Sequence, residues 1–367
     1  MPSHAHGPYA VTATRIIVYA GPGSSHSWTW LADLFESRGV LDVSFEDADG
    51  FLSSLGNGTE IAIVSGGDGF AIASALLREG SDRIDAFIAG GGRYVGICAG
   101  AYLPLPSSIP PLSGFNLVDA KVENIDSTDA YRDARSPRLA VPYGSCSLFH
   151  PVRGELELDQ GAVSFLAPLY GGPVFKPDTS AEVLLRYRAF TMNTEFQVSR
   201  AVAKSVVLGR PAAVRARHGG GELLLFGPHL EHPGYPDSNA LFLRLIGVEE
   251  GPRRELPKGI LPDIEVARAA ADLRVAVLGL ENKSFLVGAK LWDGGRFLEL
   301  IDAVRMRMWS VPEADAGGIA AMLSAVRDEL VTAQGESFML SDASPGQLVE
   351  AARMCANHHF RVLRENR

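Results

Sequence analysis

The chain has 367 residues, a formal net charge of −9, 46% apolar residues and 21% charged ones. That length bounds it to about two domains, and the apolar share is enough for a sizeable core. The acidic balance and the lack of any basic run exclude a charge-driven nucleic-acid or anionic-membrane partner.

The N-terminus, Met1 to Thr14, is polar and carries His4 and His6. The first apolar run, Ile16 to Ala20, is too short for a signal peptide, and no stretch approaches the roughly 18 apolar residues of a membrane span. The three cysteines, Cys98, Cys146 and Cys355, are too few and too odd for a disulfide framework. A cytoplasmic protein is expected.

From residue 15 the chain alternates short apolar strands with amphipathic helices. Arg15 to Tyr19 reads as a buried strand ended by Gly21-Pro22-Gly23, and Trp28, Trp30, Leu31, Leu34 and Phe35 then follow helical spacing. Val43 to Phe45 is a weaker strand. Ile61 to Val64 is a strong one, stopping at Ser65-Gly66-Gly67-Asp68-Gly69. Ala71–Leu77 and Ile84–Ala89 read as helical, and Tyr94 to Ile97 as strand. Alternation of this kind predicts an α/β fold, a mostly parallel sheet flanked by helices, with ligand sites beyond the carboxyl ends of the strands.

Pro104, Pro106, Pro110 and Pro111 open a loop-rich segment reaching about Pro142. Short strands dominate from Gly154 to Gly227, and the clearest is a hairpin of 213–217 with 222–226 across Gly219-Gly220-Gly221. Gly251 to Arg254 and Pro257 to Pro262 read as a linker. Beyond it, Ile264–Leu273, Leu298–Met308, Ala316–Val331 and Pro345–Leu363 read as helices. The expected organisation is a flexible 1–14, an α/β domain over 15–250 and a mostly helical appendage over 251–367 without a catalytic motif of its own.

Gly96-Ile97-Cys98-Ala99-Gly100 joins a strand to a short helical run. Glycines two before and two after Cys98 permit a sharp turn that exposes the side chain, the mechanics of a nucleophile elbow. The helix start favours a thiolate, and the Ala99 amide points where an oxyanion would form. The bland alternative is a small buried cysteine after a core strand. Leu224 to Phe226 runs into Gly227-Pro228-His229-Leu230-Glu231, which sets His229 on the same rim if the two strands are parallel. An imidazole there can deprotonate the thiol, and Glu231 can fix its tautomer. His232 raises a metal reading, but its spacing from His229 does not share a helical face and no second ligand cluster is evident, so no metal is expected.

Gly66-Gly67 can supply a second oxyanion amide, that of Gly67; the bland alternative is a strand-ending turn. Neither glycine loop completes G-x-G-x-x-G, and no P-loop motif exists, so no nucleotide cofactor is expected.

Taken with Tyr19-Ala20-Gly21-Pro22-Gly23, Cys98-Ala99-Gly100-Ala101-Tyr102 and Leu169-Tyr170-Gly171-Gly172-Pro173-Val174-Phe175, these motifs resemble the class I glutamine-amidotransferase-like superfamily. Within it they are most similar to the N-terminal domain of biotin–protein ligase type, over roughly residues 15 to 245. The resemblance implies a flavodoxin-like sheet, a Cys98–His229–Glu231 triad and Gly67 and Ala99 as oxyanion donors. It also implies substrate contacts from Gly66, Asp68, Tyr102, Tyr170, Gly171 and Gly172, with Phe149 to Gly154 matching a further family loop. Ala101-Tyr102-Leu103 departs from the polar residue that glutaminases carry after the elbow, and the ligase domain is absent.

The expected function is a cysteine-dependent amide hydrolase or amidotransferase-like enzyme that needs no cofactor and acts on a small-molecule amide. The alternatives are a catalytically retired binding or regulatory module, and a glutaminase subunit serving a separate synthase. The helical C-terminal region is expected to bind a protein partner or to self-associate.

Overall fold

The computed structural model describes residues 14–123, 151–280, 283–287, 290–336, 340 and 343–366. The first half lays down β1 (Ile16–Tyr19), α1 (Trp28–Ser37), β2 (Val43–Glu46), α2 (Ala48–Ser54) and β3 (Ile61–Val64). It continues through α3 (Gly69–Ala89), β4 (Arg93–Ile97) and the single turn α4 (Ala99–Tyr102). Every residue of β1 and β3 is buried, as expected of strands covered on both faces. The two predicted helical runs after β3 fall in α3, two helical segments that meet at a kink at Leu77, where φ is 57°. The Asp68 side chain caps its start by accepting from the Phe70 and Ala71 amides.

The second half adds β5 (Val152–Gln160), β6 (Val163–Leu169) and the long β7 (Glu182–Phe196). Then come α5 (Arg200–Val207), β8 (Pro211–His218), β9 (Gly221–Phe226) and α6 (Pro236–Ile246). One nine-stranded sheet results, in the order β2-β1-β3-β4-β9-β8-β7-β5-β6. From β2 to β9 neighbouring strands run parallel, and from β9 to β6 they run antiparallel. The expectation of a mostly parallel sheet is therefore corrected to a mixed one. The tight β8–β9 hairpin reverses the chain direction, and everything beyond it pairs antiparallel.

The C-terminal region holds α7 (Ile264–Leu278), β10 (Ser284–Val287), β11 (Lys290–Asp293), α8 (Gly294–Arg307), α9 (Glu313–Glu336) and α10 (Ala343–Glu365). The β10–β11 hairpin has no counterpart in the sequence reading. One continuous core cluster runs from Ile16 and Phe35 to Leu300 and Phe360, so this region packs on α1 and β2 rather than trailing from them. Two polar clamps fix it. Asn357 accepts from the Phe45 amide at 2.8 Å and donates to the Phe45 carbonyl at 2.7 Å, which satisfies the backbone of the edge strand β2. Buried Arg307 donates to Asp33 at 2.5 Å and Glu36 at 3.0 Å on α1.

Candidate active site

The carboxyl ends of β3, β4 and β9 meet at one rim because the three strands are parallel and adjacent, with Ile97 opposite Phe226. Cys98 follows β4 directly, at φ 53° and ψ −109°, a backbone conformation that costs a non-glycine residue about 1–3 kcal/mol. Its neighbours over-determine the turn. The Cys98 amide donates to the Phe226 carbonyl at 2.9 Å, and the Gly100 amide to Ser65 at 3.1 Å. Buried Tyr94 donates its hydroxyl to the Gly100 carbonyl at 2.8 Å. A Cβ on Gly96 would sit 2.5 Å from the Gly100 oxygen, and one on Gly100 1.9 Å from the Val64 oxygen. Both flanking glycines are thus demanded by backbone crossing backbone.

His229 is 2% exposed and Glu231 fully buried. His229 Nδ1 donates to Glu231 Oε1 at 2.7 Å, leaving Nε2 for the thiol, and His229 is hydrogen-bonded to Cys98. Burial pushes the imidazole pKa down. The Glu231 carboxylate and the Cys98 sulfur outweigh it and push the imidazole up to about 10. The arrangement therefore favours an imidazolium beside Cys98. Asn239 on α6 holds the turn by donating to the Leu230 and His232 carbonyls at 2.7 and 3.0 Å.

The Tyr170-Gly171-Gly172-Pro173 segment has a mechanical role here. A Cβ on Gly172 would lie 1.8 Å from the Gly227 oxygen, and one on Gly227 2.1 Å from the Pro173 oxygen. The two backbones therefore touch just before His229, whose amide donates to the Pro168 carbonyl at 2.9 Å. Tyr187 seals the contact from beneath, donating to the Pro173 carbonyl at 3.1 Å. Burial and the Cys98 sulfur push its phenol pKa up.

A cavity of about 420 Å³ opens over the cysteine. Gly66, Gly67, Cys98, Tyr170 and His229 line it, together with Ser25, His26, Ser27 and Trp30 from the end of β1 and the start of α1. Its rim is charged: Arg153 and Glu195 face it from β5 and β7, and Asp293, Arg296 and Glu299 from the start of α8. The contribution of α8 carries no sequence signal, since the C-terminal region has no motif pointing to the site.

Not every expected site residue gathers here. Asp68 is occupied in capping α3 and lines a neighbouring cavity of about 440 Å³ beside Gly21-Pro22-Gly23 and α10. Tyr102, half-buried, packs against the second core cluster and does not line the cavity. Gly171 and Gly172 do not line the cavity; Gly172 bears on the site through its close approach to the Gly227 backbone. Cys146 and Phe149 lie outside the described residues; Arg153 and Gly154, at the end of that stretch, line the cavity. The Gly234 amide donates to His232 Nδ1 at 3.0 Å, and among the described residues no three His, Cys, Asp or Glu side chains converge on a metal position. Nor is any described helix long and apolar enough to cross a membrane.

Residues 14–105 match the family model for the N-terminal region of biotin–protein ligases. The match covers β1 to β4 and the cysteine elbow and stops before His229. No curated protein matches the chain. Among solved structures it is similar to Gan42B, a GH42 β-galactosidase from G. stearothermophilus, at 12% identity and a TM-score of 0.38 over 68% of this chain and 32% of that one. A β-galactosidase from the haloarchaeon Halorubrum lacusprofundi gives 18% identity and a TM-score of 0.35, over 68% and 32%. A ThuA-like protein from Bacteroides uniformis gives 14% and 0.32, over 65% of this chain and 92% of that one. This chain spans about a third of the length of the two galactosidases. With TM-scores below 0.5 these likenesses bear on neither fold nor activity.

Proposed function

We propose that the protein is a cysteine-dependent amide hydrolase or amidotransferase-like enzyme of the class I glutamine-amidotransferase-like superfamily. The strand order β2-β1-β3-β4-β9 supports that reading, because it is the order of flavodoxin-like sheets with the site at the strand ends. The observation that carries it is the buried Cys98–His229–Glu231 line at a strained elbow, opening on a cavity. The Cys98 thiolate attacks the amide carbonyl, and backbone amides at Ala99 and Gly67 face the oxyanion that forms. As the tetrahedral intermediate collapses, the C–N bond breaks and the His229 imidazolium gives its proton to the leaving amine. Water, deprotonated by His229, then cleaves the thioester to a carboxylic acid and returns the thiol.

The test is a panel of small primary and secondary amides, with amine release followed in solution and Cys98 followed by intact mass after acid quench. Turnover, together with an acyl adduct that disappears in Cys98→Ser, is the expected result. A panel that yields neither, on protein whose Cys98 is fully reduced, would overturn it. The packing of Ala101 and Leu103 into the core after the elbow favours a second reading, a ligand-binding module without turnover. Saturable ligand binding that survives in Cys98→Ala, without any adduct, would identify that module.

A further inference from the structure

We propose that Trp30 on α1 and Glu299 on α8 are a positioning pair for His229, which makes the C-terminal region a working part of the catalytic centre. The inference rests on the enzyme reading above. The Trp30 indole lies edge-to-face with the His229 imidazole, ring centres 5.3 Å apart and planes at 87°. Its Nε1 donates to Glu299 Oε2 at 2.5 Å, across 269 positions of sequence.

An imidazole pinned only through Nδ1 retains freedom to swing about that hydrogen bond, which would carry Nε2 away from the sulfur. Glu231 supplies the pin, and Gly66 lies so close to the ring that a Cβ there would stand 3.0 Å from Cε1. Trp30 and Tyr170, with ring centres 5.3 and 5.7 Å from that of His229, are its aromatic neighbours. The indole is itself 5% exposed, so its N–H needs a partner out of water, and Glu299 provides it. Sub-ångström placement of a general base is worth orders of magnitude in rate, so a brace drawn from a distant helix has a catalytic purpose beyond packing.

The titratable groups facing His229 are Cys98, Glu231, His232 and Tyr170; those facing Glu299 are His26, Asp33, Asp293, Arg296 and Tyr170. Partial burial and the neighbouring Asp33 and Asp293 carboxylates push the Glu299 carboxyl pKa up, opposed by Trp30 and Arg296. Glu299 is thus held in a place that disfavours its charge.

Full-length wild type, Trp30→Phe, Glu299→Ala and Glu299→Gln would be compared by the pH dependence of Cys98 alkylation with iodoacetamide, read by peptide mapping, with thermal melts as a fold control. Trp30→Phe keeps a ring and loses the N–H; Glu299→Ala removes the acceptor. Both are expected to slow alkylation at neutral pH by roughly 3–10-fold, the effect of one hydrogen bond, and to move the profile to higher pH. Glu299→Gln, which keeps an acceptor oxygen, should restore the profile part-way. Profiles of Glu299→Ala and Trp30→Phe that superimpose on wild type would overturn the brace. If Trp30→Phe fails to fold, Glu299→Ala, at a position 44% exposed, decides alone. A wild-type Cys98 no more reactive than an ordinary thiol would instead sink the enzyme reading, a separate result.

Discussion

Glu231→Gln removes one charge from a fully buried position while keeping shape and an acceptor oxygen. In the native protein the Glu231 carboxylate and the Cys98 sulfur push the His229 imidazole from its ordinary 6.5 up to about 10, against the cost of burial. Replacing the carboxylate forfeits a charge-assisted hydrogen bond of about 1.5–3 kcal/mol. The share of thiolate–imidazolium pair at neutral pH, and with it the second-order rate of Cys98 alkylation, should fall about 10- to 100-fold, and the rate profile should move to higher pH. Cys355 is an internal control: burial pushes its thiol up to about 12, so it should stay unlabelled in the folded protein. The same pair acts on stability. Because the folded imidazole pKa is raised, its contribution is complete below about pH 6.5 and is lost as pH rises through about 10. Denaturant titrations should therefore show Glu231→Gln losing most to wild type near pH 6 and the gap closing toward pH 10. A variant that melts normally but alkylates within about twofold of wild type across that range would refute the coupling of Glu231 to the thiol.

Gly100→Ala puts a Cβ 1.9 Å from the Val64 oxygen and should cost about 2–4 kcal/mol or abolish soluble expression, read by chemical denaturation. Arg307→Met strands Asp33 and Glu36 without their buried cation and should cost about 3–5 kcal/mol at pH 7. Part of that loss should return as pH falls toward 4, because burial already pushes the Asp33 carboxyl up and without Arg307 it is relieved by protonation, whereas Glu36 keeps His359 as a partner. Asn357→Ala removes two hydrogen bonds from the edge strand and should cost about 1–3 kcal/mol, with faster hydrogen exchange at the Phe45 amide as the local readout.

What the sequence made legible was local. The elbow shows because glycine at 96 and 100 brackets a cysteine after an apolar strand. His229 shows because it follows a run of leucines, and each signal is contained within a few neighbouring residues of the chain. The direction of the outer sheet was not legible. The fifteen residues of β7 mix buried and exposed positions through two register shifts, so no clean alternation marks the strand or its partner. The family resemblance implies a substrate contact at Asp68, but an aspartate at that place serves equally well as a helix cap, and nothing local separates the two roles. Least legible were the pairs that cross the whole chain, Trp30 with Glu299 and Phe45 with Asn357, since nothing local distinguishes those residues from other buried aromatics or helix-surface polars.

The antiparallel half of the sheet shares none of the thiol chemistry, yet it decides where His229 stands. The Tyr170–Pro173 segment crosses the Gly227 backbone so closely that neither Gly172 nor Gly227 admits a Cβ, and Tyr187 of β7 locks the crossing through the Pro173 carbonyl. The base is set by that crossing, and the nucleophile by Gly100 against Val64 on the parallel side. Because Cys98 leaves β4 and His229 follows its register partner β9, where the two halves meet, a shift in either half moves one reacting group relative to the other. The pair of glycine crossings therefore acts as a single alignment device, and a second-site change that relaxes one crossing should not rescue a clash introduced at the other.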